Sequence, residues 1–190
     1  MTLPKNKTLW VLIALAAIIL AWVWTGYNGL IQLQGQVDSN WAQVETQYQR
    51  RFDLVPNLVN TVKGAADFEQ ETFTAVTQAR SQWQSAANRR EQITAASGFD
   101  SALSRLLVTV ESYPQLQATQ AFRDLMAQLE GTENRIATAR RDFNEAVRVF
   151  NIRAMRFPSN ILASIFSFKP EMYFENAEGA EEVPMVDFGQ

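Results

Sequence analysis

The chain predicts an all-α protein, in which an N-terminal transmembrane helix continues into an elongated antiparallel helical bundle and ends in an extended acidic C-terminal tail. Three observations carry that expectation. No charged side chain stands between Lys7 and Asp38. Apolar residues then recur in steps of three and four over most of the remaining chain, the period of one helix face. Finally, Glu171, Glu175, Glu178, Glu181, Glu182 and Asp187 are the only charges after Pro170. On this basis residues 1–7 form a short basic segment, 8–31 the transmembrane helix, 32–168 the bundle and 169–190 the tail.

The span comes first. Thr8 to Trp24 is almost wholly apolar, and Leu30 and Ile31 extend it. A helix rises about 1.5 Å per residue, so roughly 20 residues cross ~30 Å of hydrocarbon. Trp10 sits near one end and Trp22, Trp24 and Tyr27 near the other, as an aromatic belt requires. The competing reading is a cleaved signal peptide with Lys5 and Lys7 as its basic start and Leu9–Leu20 as its core. Cleavage needs small residues after the core, where Trp22, Val23 and Trp24 stand instead. An uncleaved anchor is therefore favoured. Lys5 and Lys7 precede the span, and the next basic residues are Arg50 and Arg51. The positive-inside bias then places the N-terminus in the cytoplasm and the bundle on the outer, periplasmic side.

Helix one is expected to run on through Val37, Trp41, Val44 and Tyr48 to about Phe52. Gly26, Gly29 and Gly35 weaken it near the bilayer surface. Pro56 lacks an N–H and clashes with an earlier carbonyl in a helix interior. Asp53 is thus expected to cap a second helix that carries Pro56 in its first turn. That helix would show Val55, Val59, Val62, Ala66, Phe73, Val76 and Trp83 on one stripe and fade at 85–90. Helix three is expected from about Glu91 to Ser112, with Leu103, Leu106, Leu107 and Val110 as its apolar face. Gly98 could shorten it, leaving Asp100 or Ser101 as a cap, and Tyr113-Pro114 ends it. Helix four follows Thr119 and is the longest pattern, from Phe122 and Leu125 through Ile136, Phe143 and Phe150 to Phe157. Ser159 is expected to cap a short apolar segment, Asn160–Phe166. Long helices with short connections pack antiparallel at about 20°. The tail has no period, but Tyr173, Phe174, Val186 and Phe188 are candidate anchors for docking it onto a basic face.

Composition limits the chemistry. The chain has no Cys and no His. That removes thiol nucleophiles, Ser-His-Asp triads and His-ligated zinc or di-iron sites. No cofactor and no metal are expected. A net charge of −3 leaves no general nucleic-acid footprint. Two polar constellations remain. Arg50, Arg51, Asp53 and Asn57 cluster at the expected interhelix turn. They read either as a partner or anion contact at a helix N-terminus, or as an Asp53 cap with arginines paired to nearby carboxylates. Glu133, Arg140, Asn144 and Asn151 lie along helix four. They read as an interhelix polar network that fixes register; a catalytic carboxylate pair is the alternative.

The order and spacing of several motifs carry a family resemblance. They are Tyr27-Asn28, Trp41, Arg50-Arg51-x-Asp53-Leu-Val-Pro-Asn-Leu-Val59, Val62-Lys-Gly64, Ala79-Arg80, Tyr113-Pro114, Thr132-Glu133-x-x-Ile136, Ala139-Arg140 and Phe157-Pro158. By these motifs the chain resembles the LemA family over nearly its whole length. The resemblance implies a bacterial, single-span, helical-bundle membrane protein and little about activity. The chain departs from the family pattern at Phe143-Asn144 and Phe150-Asn151, where Tyr-Asn is usual. It departs again at Gly64-Ala65-Ala66 and Phe68-Glu69, where a tyrosine and a histidine are common. A role for those hydroxyls or that imidazole would not carry over.

The expected function is a non-enzymatic scaffold or adaptor of the bacterial cell envelope, anchored in the inner membrane. It would act through protein–protein contacts, self-assembly into a homo-oligomer among them. A regulatory subunit of a membrane enzyme such as a protease is the second reading, and a carboxylate-based hydrolase the third. The expected partners are the lipid bilayer and a protein, with no nucleic acid.

Overall fold

Residues 5–63 and 70–174 are described in a computed structural model of the chain. Among them there are six helices and no strand: α1 Lys5–Lys63, α2 Gln70–Ser85, α3 Arg89–Glu111, α4 Pro114–Gln117, α5 Gln120–Met155 and α6 Ser159–Ile165. The described residues divide between two compact units, one within 5–44 and 139–173, the other within 45–63, 70–138 and Phe174.

α1 runs unbroken for 59 residues with Pro56 inside it. The expected helix end at Phe52 and cap at Asp53 are therefore absent. Pro56 cannot donate to the Phe52 carbonyl, and an interior proline costs about 3 kcal/mol. Against that, Phe52, Val55 and Leu58 are buried at 0, 3 and 0% exposure. Each such side chain contributes roughly 1.5–3 kcal/mol on burial, so continuing the helix wins. Asp53 is exposed and accepts a hydrogen bond from Gln49 Nε2 at 2.9 Å, within the same helix. α1 is described to Lys63 and α2 from Gln70, and residues 64–69 lie outside the described residues.

The first unit packs α1, the end of α5 and α6. Leu30, Val37, Trp41 and Val44 of α1 are buried, as are Phe143, Val147 and Phe150 of α5 and Leu162 of α6. Trp41 meets Phe143 edge-on at 5.1 Å. A Cβ at Gly26 would run into Leu162 Cδ1, so glycine is what lets α6 approach α1 there. N-terminal to that contact α1 is bare. From Leu9 to Leu20 its large apolar side chains are 49–70% exposed. This stretch gives α1 the length and composition to cross a membrane.

The second unit gathers the C-terminal third of α1 with α2, α3, α4 and the first half of α5. Tyr48, Phe52, Phe99, Leu103, Leu106 and Ile136 are fully buried, with Trp83 and Leu129 beside them in the core. α3 begins at Arg89, before the expected Glu91, because Asn88 Oδ1 accepts from the Glu91 N–H at 3.0 Å while Glu91 Oε2 accepts from the Ala87 N–H at 2.8 Å. This is a reciprocal cap. Gly98 lies within α3 and does not break it. Thr119 Oγ1 accepts from the Phe122 N–H at 3.3 Å, capping α5.

Two details at the end of α5 differ from expectation. The helix stops at Met155, and Phe157 is 74% exposed. Ser159 does not cap α6: it is the first helical residue, and its hydroxyl donates to the Arg156 carbonyl at 3.0 Å.

Candidate functional site

The second unit holds a polar cluster set in aromatic surroundings. Arg51 follows Tyr48 by three residues, so both point from α1 to one side. Both are buried. Arg51 Nη1 donates to Asp100 Oδ1 on α3 at 2.9 Å and pairs with Glu133 Oε2 on α5 at 2.7 Å. Tyr48 donates its hydroxyl to the other Asp100 oxygen at 3.2 Å. One guanidinium thus ties three helices.

The walls are rings. Arg51 lies 5.8 Å from the centroid of Phe99, and Phe52 meets Phe99 at 4.7 Å. Tyr48 stacks on Trp83 at 4.4 Å and on Phe174 at 6.3 Å. Apolar walls weaken solvation of a charge. Burial accordingly pushes the Asp100 carboxyl up to about 7, against the pull of Arg51 and with the help of the Glu133 charge. Asp100 is therefore poised to change charge near neutral pH. The cluster holds a charge among rings and orients helices; a proton at Asp100 is its one chemical variable.

The four residues expected at the first turn part company. Arg50, Asp53 and Asn57 follow one another at steps of three and four and are exposed, whereas Arg51 turns inward. Since α1 continues through them, no helix N-terminus gathers backbone donors there. The anion-site reading loses that premise, and Arg51 holds the nearby carboxylates instead.

The residues expected along helix four also separate. Glu133 reaches Arg51 and belongs to the cluster in the second unit. Arg140, Asn144 and Asn151 belong to the first unit. Burial lowers the Arg140 pKa to about 10. Asn144 is half-buried. Asn151 is buried and clasps the backbone of Glu171 twice: its Nδ2 donates to the Glu171 carbonyl and its Oδ1 accepts from the Glu171 N–H, both at 2.8 Å. That amide stops the chain after α6 from drifting away from α5. Of the expected tail anchors, Phe174 is buried and Tyr173 is 41% exposed. Val186 and Phe188 lie outside the described residues.

Sequence reasoning missed Asp100 as the partner of both Arg51 and Tyr48. The signal available was weak. Asp100 stands four residues after Ala96 and three before Leu103, both buried on α3, so helical register carries its side chain towards the core although desolvation opposes it. The second unit also has an open cleft of about 490 Å³ between α3 and α5, lined by Leu107, Val110, Phe122, Arg123, Met126 and Glu130 among others.

Comparison with known proteins adds two findings. The family model of the LemA family matches residues 40–188. Among curated relatives, Magnetosome protein MamQ 2 of Paramagnetospirillum magneticum is 28% identical over 186 residues, which covers 84% of this chain and 68% of the relative. Magnetosome protein MamQ of Magnetospirillum gryphiswaldense is 26% identical over the same length and shares. Protein LemA of Metamycoplasma hominis is 24% identical over 161 residues, covering 84% of this chain and 72% of that one.

Proposed function

From the premise that this chain belongs to the LemA family, we propose that it is a membrane-anchored, non-enzymatic scaffold or adaptor of the bacterial cell envelope. One observation carries the reading: a bare apolar stretch and buried bundle positions share a single unbroken helix, α1. Such a helix passes force and position from the bilayer to the bundle without a linker. The polar cluster supports the same reading, because Arg51, Asp100 and Glu133 spend their charge on each other. The relatives named as magnetosome proteins are consistent with work at a membrane.

In this reading Lys5 and Lys7 keep the N-terminus in the cytoplasm, the bundle stands on the periplasmic side, and its contacts are with proteins, further copies of itself included. Arg50, Asp53 and Asn57, exposed on α1, are surface residues for such contacts. Chemical cross-linking of the intact protein in its native membrane, followed by mass spectrometry, tests the function. The reading requires a reproducible set of cross-links from bundle residues to a small number of proteins or to other copies. Cross-links scattered in proportion to protein abundance would contradict it.

A further inference from the structure

Beyond the bare stretch of α1, exposed large apolar side chains among the described residues concentrate in one segment. Trp22, Trp24, Tyr27 and Ile31 continue the bare stretch along α1, and Val108 and Tyr173 stand apart; Ile152, Met155, Phe157, Ile161, Ile165 and Phe166 follow one another through the end of α5, the connection and α6. Phe157 and Ile165 are 74 and 66% exposed. The same segment is basic. No acid stands between Glu145 and Glu171, while Arg148, Arg153, Arg156 and Lys169 are all exposed.

Its position matters as much as its composition. In the first unit α5 runs back along α1. Asn40 donates to the Asp142 carbonyl at 3.1 Å. Met155, thirteen residues beyond Asp142, therefore comes level with Tyr27, thirteen residues before Asn40. α6 closes at the same height: Leu162 lies over Gly26, and Tyr27 packs on Phe166 at 4.7 Å and Phe168 at 5.9 Å. Immediately N-terminal to Gly26 lie Trp24, Trp22 and the bare apolar stretch. The apolar and basic patch thus sits at the rim of the anchor.

We infer that residues 152–169 form a second membrane contact, in which the apolar side chains enter the headgroup boundary of the leaflet where α1 emerges and Arg153, Arg156 and Lys169 hold phosphates of anionic phospholipids, while Arg148, further from the rim, stays paired with Glu145. The inference rests on α1 crossing the bilayer. Interfacial segments bind through buried apolar area together with attraction to anionic headgroups, and this segment supplies both at the required height. A second copy seated symmetrically on the same face is the rival occupant. A two-fold contact would set the patch against itself and bring its cations together, so lipid phosphate is the better complement.

The test uses full-length protein in phosphatidylcholine vesicles with and without phosphatidylglycerol. The chain has no native cysteine, so Leu15→Cys, Ile161→Cys, Ile165→Cys and Val108→Cys variants each take one environment-sensitive fluorophore. Quenching by lipids spin-labelled near the headgroup is expected at 161 and 165 and not at 108, several-fold stronger with phosphatidylglycerol present. Replacing Arg153, Arg156 and Lys169 together with Gln should abolish that enhancement. Quenching at 161 and 165 by an aqueous agent alone overturns the inference, as does protection from both agents that grows with protein density, the signature of a second copy. Lipid quenching indifferent to phosphatidylglycerol overturns the phosphate contact. Leu15 separates the two levels. If deep spin-labelled lipids quench it while 161 and 165 stay wet, the anchor stands and this inference fails; if 15 is not quenched, the anchor itself fails.

Discussion

Asp100 is where the fold changes the chemistry of one side chain. Its carboxyl accepts from Arg51 and Tyr48, and burial raises its pKa from 3.8 to about 7. Between those values the folded chain keeps a proton that the unfolded chain releases. The folded state is then favoured most at low pH, and this contribution is lost as pH rises towards 7 and is constant above it. Each pKa unit is worth about 1.4 kcal/mol. Unfolding by urea in mild detergent, followed by circular dichroism, should show about 2 kcal/mol less stability from this group at about pH 8 than at about pH 5.5. Asp100→Asn keeps an acceptor for Arg51 and turns an amide donor to the Tyr48 hydroxyl without ionising. The variant should lose that slope and be the more stable protein at about pH 8. An unchanged slope would mean that Asp100 ionises as it does in water. Arg51→Leu, by contrast, leaves the two carboxylates without their shared cation; because Glu133 is half exposed and water reaches it, and Asp100 can keep its proton, the same urea titration should show a loss of about 1–3 kcal/mol.

At the scale of elements, what could be read in the sequence and what could not divide along a physical line. The stripe Val37, Trp41, Val44 and Tyr48, and the longer one from Phe122 to Ala154, face the core as their periods require. Periodicity reports only that one face leaves water, and that much is local information. The partners of that face are not local. Arg51 and Asp100 stand 49 residues apart, and no spacing rule says which turn of α3 meets which turn of α1. Pro56 misled for the opposite reason. Its local rule is sound, but the burial of Phe52, Val55 and Leu58 outweighs it. Ser159 looked like a cap by residue type, and its hydroxyl turned to the preceding carbonyl instead.

The continuous α1 makes its own prediction. Pro56→Ala restores one backbone donor in mid-helix and removes a ring clash, worth about 3 kcal/mol, less about 0.5–1 kcal/mol for a freer unfolded chain. A net gain of roughly 2 kcal/mol is expected. Asp53→Ala should change stability by less than about 0.5 kcal/mol, because the residue is exposed and caps nothing. Thermal melts of both variants check this. A loss near 1 kcal/mol for Asp53→Ala with no gain for Pro56→Ala would restore a helix break at that point.

For the whole molecule, charge and membrane set the terms. Residues 171–190 carry six acids and no base, against a net −3 for the chain, so the remainder is net basic. Asn151 and Tyr48 already hold Glu171 and Phe174. A deletion that probes the tail's own role should therefore begin at residue 175. If the acids beyond it pair with a neighbouring copy, that truncation lowers the mass of the detergent-extracted complex, and raised salt does the same to the full chain because exposed pairs are screened. Equal masses for both proteins at low and high salt would remove the tail from assembly.

The central claim is that α1 carries the bundle on the far side of the bilayer from the N-terminus. Impermeant maleimide labelling of intact cells tests it most directly, with one cysteine at exposed Ser97 or one added before Met1. The account predicts labelling of Ser97→Cys in spheroplasts, and of the N-terminal cysteine only after the membrane is opened. The reverse pattern, or both sites protected until lysis, would contradict it.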